Sequence, residues 1–144
     1  MSFQECLEFG HIYEKKLMEF IPYDSYIIRE GLFSAYDVKV NYNGDKIRYE
    51  VKADRMAHKT GNMVIEFESN GVPSGISVTR ARYYAYFVVK PYDLFDLYVI
   101  PVKVIKQYIM DSKYKRTLKG GNKQLSHMYV FAIDTFKEYL LHSN

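Results

Sequence analysis

The sequence predicts an α/β domain with a mixed central sheet flanked by helices, and three observations carry that prediction. Apolar residues recur at three- and four-residue spacing from Phe3 to Phe20, they alternate with polar ones from Tyr36 to Val40 and from Ile47 to Lys52, and apolar runs punctuated by Gly and Pro fill the rest. A repeat near 3.6 buries one face of a helix, whereas a repeat of two buries one face of a strand. Helical and extended segments interleaved in this way point to helices packed on a sheet.

Taken in order, Phe3, Cys6, Leu7, His11, Tyr13, Leu17 and Phe20 define a first amphipathic helix, which Pro22 ends. Tyr26 to Ile28 is a short β-prone stretch. Tyr36, Val38 and Val40 alternate with Asp37 and Lys39; Asn41 to Asp45 supplies turn chemistry; Ile47, Tyr49 and Val51 then alternate with Arg48, Glu50 and Lys52. This predicts a β-hairpin with one wet face. Met63 to Glu68 extends the same sheet as a third strand, and a loop through Asn70, Gly71, Pro73 and Gly75 leads to a helix from about Val78 to Val89. Leu97 to Ile100 reads as a buried strand, and Pro101 opens a helix that runs to about Asp111. After a basic loop come a strand from His127 to Ile133, an N-cap at Asp134 and a last helix to Leu141.

With 144 residues, 48% of them hydrophobic, the chain can bury one core, so residues 1–144 are expected to form a single domain. One cysteine, Cys6, excludes an internal disulfide and a Cys-rich zinc site and fits a reducing, cytoplasmic setting. The N-terminal segment is too charged for a signal peptide or a membrane span. A net charge of +3 marks no partner by itself, but its distribution does. Between Lys113 and Lys123 the chain carries Lys113, Lys115, Arg116, Lys119 and Lys123 and no acid, a segment suited to a phosphate backbone. Fifteen tyrosines and no tryptophan add rings that can stack on bases, although burial is the commoner fate of an aromatic side chain.

Glu50 and Lys52 lie two apart on one predicted strand, so both leave the same face, and Asp37 sits on its hairpin partner. With Tyr36, Val38, Val40, Ile47, Tyr49 and Val51 turned to one core, Asp37, Glu50 and Lys52 share the opposite face, at a separation set by register. Carboxylate oxygens suit Mg²⁺, which can hold a phosphate and activate water, while an ammonium can orient that water or neutralise charge on the phosphate. The triplet Glu-x-Lys alone is weak, since Glu14-Lys15-Lys16 repeats it on a helix, where residues two apart do not face each other. The hairpin position of Glu50 and Lys52, with an aspartate on the neighbouring strand, separates the second triplet from chance.

These residues resemble the PD-(D/E)XK nuclease superfamily, which includes restriction enzymes, Holliday junction resolvases and phage exonucleases. Gly10-His11-Ile12-Tyr13-Glu14-Lys15-Lys16-Leu17 is similar to the Gly-x-x-x-Glu-x-x-Leu helix of resolvase-like members and nominates Glu14, while Asp37, Glu50 and Lys52 match the remaining motif positions. Tyr36 stands where the motif's proline would be. The segments Asn62 to Ser69, Pro73 to Ile76 and Thr79 to Tyr84 look similar to small phage-borne nucleases. The resemblance covers about the first two-thirds of the chain. It implies a restriction-endonuclease-like core, with Glu14, Asp37 and Glu50 as metal ligands and Lys52 as the charge-stabilising or water-orienting group.

The expected activity is therefore a Mg²⁺-dependent deoxyribonuclease, with Mn²⁺ as substitute, structure-specific in the resolvase manner and at work in DNA recombination or repair. The alternative is a nuclease-fold protein that binds nucleic acid without cutting it. Arg80 and Arg82, near the start of the predicted helix, join the basic segment as candidate phosphate contacts. Glu5 and Glu8 are alternates to Glu14, and Glu66 and Glu68 are candidate further ligands on the third strand. The four histidines show no metal-ligand spacing and receive no role, and Gly120-Gly121-Asn122-Lys123 does not make a phosphate-binding loop. Cutting a four-way junction symmetrically requires two sites, so a homodimer is expected, with Tyr83 to Phe87 either its apolar face or part of the core.

Overall fold

The computed structural model describes residues 2–30, 35–120 and 125–144. Lys123, one of the expected phosphate contacts, lies outside them. The protein is of mixed α/β class, and a mixed six-stranded sheet forms its centre. Among the described residues no helix is long and apolar enough to cross a membrane.

Helix α1 (Phe3–Leu17) begins at Ser2, whose hydroxyl accepts from the Glu5 amide at 3.1 Å, and it carries Lys15 and Lys16 in its last turn. Both features offset the helix dipole. It ends a turn earlier than periodicity suggests, because Met18, Glu19 and Phe20 donate to carbonyls three residues back, which tightens the exit into a turn.

Strands β1 (Ser25–Ile28), β2 (Val38–Tyr42) and β3 (Asp45–Asp54) form an antiparallel meander. Asn43 and Gly44, both at positive φ, make the tight turn between β2 and β3. Tyr36 departs from the expected alternation. It precedes β2 and packs into the opposite core from Val38 and Val40, with the Arg29 guanidinium donating to its hydroxyl.

After β3 a short helix, α2 (Ala57–Thr60), closes at Gly61 in the left-handed conformation, and the chain leaves the central sheet. Strand β4 (Asn62–Ser69) is thus not the third strand of the hairpin's sheet. It pairs with β5 (Val72–Pro73) and with β9 (Ser126–Ala132), and β9 pairs in turn with β8 (Arg116–Gly120) in a second, antiparallel sheet.

The helix expected from Val78 to Val89 is instead an irregular segment, with a turn at Val78 and a bend at Arg82, followed by strand β6 (Tyr83–Val89), parallel to β3 and antiparallel to β7 (Phe95–Pro101). Both faces of β6 are buried, so its sequence Tyr-Tyr-Ala-Tyr-Phe-Val-Val shows no alternation, and a continuous apolar run cannot be told from a buried helix by period. Aromatic and β-branched residues decide for the strand. This burial also removes Tyr83 to Phe87 as a dimer face.

Helix α3 (Val102–Met110) follows Pro101 as expected. Part of the anticipated basic loop is strand β8. Residues Ile133–Tyr139 form 3-10 turns, and Leu140–Ser143 form a last strand, β10, on β7, where a helix was anticipated. Each face of the central sheet has its own core. Tyr13 and Leu17 of α1 pack on Val38, Val40, Ala85, Phe87 and Leu97, while Tyr84, Tyr86 and Ile100 meet Met63, Ile65 and Phe131 of the second sheet and Ile105 of α3. One face is therefore covered by a helix and the other by a sheet and a helix together.

Candidate active site

Strand alternation sends Val38 and Tyr49 into the α1 core and leaves Glu50 and Lys52 on the other face, the side of Tyr84 and Tyr86. Asp37 lies one residue before β2, and its amide donates to the Tyr49 carbonyl at 2.9 Å. Because Val38 pairs with Tyr49, that register puts Asp37 directly across from Glu50. The Asp37 carboxylate accepts from the Val51 amide at 2.7 Å, which holds it against β3. The Asp37 and Glu50 carboxyls face each other closely enough for each to shift the other's hold on its proton.

Burial, then the neighbouring Asp37, push the Glu50 carboxyl up to about 8. Burial also raises Asp37, although the Val51 amide and the proton held by Glu50 draw it back. Glu14, the one buried charged residue among those described, approaches from α1; burial raises it too, against the pull of His11. The charge of Asp37 acts on Glu14, and that of Glu14 acts on Glu50. Like charges gathered out of water each favour the protonated form of the next. No lysine or arginine forms a salt bridge with these three carboxyls among the described residues.

Several contributors were not read from sequence. His11 Nδ1 lies 2.7 Å from Glu14 Oε2, one helical turn away. Their spacing of three was the available signal. Thr79 Oγ1 lies 3.2 Å from both Glu50 Oε1 and the Ala35 carbonyl, either of which can take its single proton. Tyr84 sits beside Glu50 in the parallel register, and its hydroxyl is raised by burial and by the charges of Glu50, Asp37 and Glu66.

Glu50 and Lys52 open onto a cleft of about 210 Å³ with Glu66, Gly75 and Tyr84 on its walls. Gly75, at φ +52°, approaches so closely that a Cβ there would stand 2.2 Å from the Glu66 carbonyl oxygen, so only glycine fits. Ser74 Oγ donates to Glu66 Oε2 at 3.0 Å. The two glutamates of β4 do not share a face as alternation suggests. A bulge pairs Glu66 with Met128 but Glu68 with the adjacent His127, whose Nε2 is 3.9 Å from it. The cleft continues, through Lys52, Val64 and Met128, into a groove of about 330 Å³ between the end of β3 and the outer face of the second sheet.

The expected basic contacts disperse. Arg116 lines the groove. Lys115 donates to Asn62 Oδ1 at 2.7 Å, and Lys113 sits 4.3 Å from the centre of the Tyr108 ring. Lys119 lies at an odd position of β8 and so turns to the face opposite Arg116. Arg80 and Arg82 stand on the irregular segment before β6, not at a helix start, and Arg82 shares a separate cleft of about 460 Å³ with Lys103 and Lys106. Neither Glu5 nor Glu8 is among the charges that act on Glu14, Asp37 or Glu50. No family model, curated protein or solved structure matches this chain.

Proposed function

We propose that this protein is a metal-dependent nuclease of the PD-(D/E)XK kind, built on a restriction-endonuclease-like core and hydrolysing DNA phosphodiester bonds. The observation that carries the reading is the pairing of Asp37 with Glu50, which lines a cleft together with Lys52, while Glu14 on another element is near enough for its charge to act on Glu50. Three sheltered carboxyls with no lysine or arginine bridged to them among the described residues, and with only His11 beside Glu14, are costly as a structural device, since most of their desolvated negative charge lacks compensation. A cation would supply it.

The donor set fits Mg²⁺ or Mn²⁺: Asp37 and Glu50, with Glu14, offer hard oxygen ligands, and no thiolate is near to favour a softer ion. When bound, the ion would supply Lewis-acid polarisation of a phosphate and a more acidic attacking water. The Val51 amide fixes Asp37, and His11 fixes Glu14, so that both present oxygens in defined orientations. Thr79 holds Glu50. Lys52 brings a positive charge onto the same face, where it opposes the negative charge that grows on a phosphate under attack.

Cleavage of supercoiled, linear, tailed and four-way DNA, with Mg²⁺, Mn²⁺ or EDTA, tests the reading. Wild-type protein should cut with either ion and not with EDTA. Glu50→Gln and Asp37→Asn should each abolish cutting while circular dichroism stays unchanged. Cutting that survives both substitutions overturns the assignment.

A further inference from the structure

The groove leading away from the carboxylates combines two unlike surfaces. Along it stand the cations Lys52, Arg55 and Arg116 and one acid, Asp54, whose carboxylate is taken up by the Tyr86 hydroxyl and two amides, and its floor is apolar, with Met56 exposed to 57%, Leu118 to 41%, and Met128 beside them. Cations alone would suit any nucleic-acid backbone. The apolar floor adds a condition. In a paired duplex the base faces are stacked inside and only phosphates and groove edges are presented, so methionine and leucine side chains would meet little apolar surface beyond thymine methyls. An unpaired nucleotide offers a bare base face to such a floor while its phosphate reaches the cations. The space, about 330 Å³, belongs to clefts that take one small ligand, and the groove joins the catalytic cleft at Lys52.

From the charge, the apolar floor and this continuity we infer that the groove seats unpaired DNA beside the bond to be cut, so that the substrate is DNA with a single-stranded segment. The inference rests on the nuclease reading above. Strand β8 provides its own control: Arg116 and Leu118 face the groove, whereas Lys119 points to the other side.

Binding is measured by fluorescence anisotropy in EDTA, with a fluorescein-labelled oligothymidine of about twelve nucleotides, within the span that single-strand sites cover, and a blunt duplex of equal length. Wild type should prefer the single strand by about tenfold, the scale of covering some tens of Å² of apolar surface with a base. Arg116→Gln should weaken that binding and flatten the slope of log affinity against log salt by ~0.7. Leu118→Asn should weaken it without changing the slope, and Lys119→Gln should leave it unchanged, with circular dichroism confirming each fold. Equal affinity for the two DNAs, or indifference to both groove variants, overturns the proposal. With Mg²⁺ and a tailed duplex, cuts should fall in or next to the tail. Preferential cutting inside blunt duplex would sink the groove assignment and leave the nuclease reading standing. If no DNA is cut while single-strand binding still depends on Arg116, the groove stands and the nuclease reading fails.

Discussion

Strand β3 carries two sheltered acids four residues apart, and they are handled in opposite ways. Asp54 is surrounded by donors: the Tyr86 hydroxyl at 2.5 Å, the Met56 amide at 2.8 Å and the Ala57 amide at 3.1 Å. Tyr86 in turn accepts from the Val64 amide at 3.0 Å, so the network ties β3, α2, β4 and β6 together. Glu50 has one threonine hydroxyl and is otherwise confronted by Asp37 and, further off, Glu14. A satisfied carboxylate rigidifies its surroundings, whereas carboxyls facing one another hold negative charge in reserve for something positive. The first site reads as architecture and the second as chemistry.

The largest separation between the two should appear in activity. Glu50→Gln is expected to lower cleavage by at least about 10²-fold, the scale of losing one main source of transition-state charge stabilisation, and to weaken Mg²⁺ binding in calorimetry. Asp54→Asn should retain most cleavage. Equal losses would erase the distinction drawn here.

Lys52→Ala sharpens the comparison within the site. It should reduce the single-turnover rate by about 10²-fold. Metal affinity should be retained, because an ammonium is not a ligand; loss of metal binding together with the lysine would assign Lys52 a different role.

Stability should rank the two sites the other way. Asp54→Ala leaves the Tyr86 hydroxyl and two amides without their acceptor and should cost about 2 kcal/mol in urea unfolding. A cost near zero would show that water replaces the carboxylate at once.

The smallest effect concerns pH. Glu50 is an acid whose folded value, about 8, exceeds its ordinary 4.5, so between those values the folded state holds a proton that the unfolded state has released. Its contribution is therefore most favourable below pH 4.5 and declines as pH rises toward 8, the reverse of a salt-bridged carboxylate. Glu50→Gln removes that penalty. Metal-free variant protein should melt a few degrees above metal-free wild type at pH 9, about the shift that 1 kcal/mol gives a domain of this size, and the gap should close near pH 4. A gap that widens toward acid pH would contradict the buried, mutually repelling pair.

Local rules decided part of this molecule. The alternation around Asn43-Gly44 determined the hairpin and, with it, the common face of Asp37, Glu50 and Lys52, because a turn with two positive φ values leaves one register. The 3.6-residue repeat determined α1 up to its last turn. The tertiary structure decided what those rules leave open. Tyr83 to Val89 became the central strand because it is buried on both faces, and burial on both sides erases periodicity. Met63 to Glu68 joined a second sheet because strand partners distant in sequence, here β9, write no signal into the strand itself. Within that strand a bulge, not alternation, separated Glu66 from Glu68. Glu14 came to the site because α1 packs across β3, and Arg116 parted from Lys119 because β8 pairs with β9 and has two faces. Pattern along the chain specifies which way a side chain points, and only packing between elements specifies what it meets there.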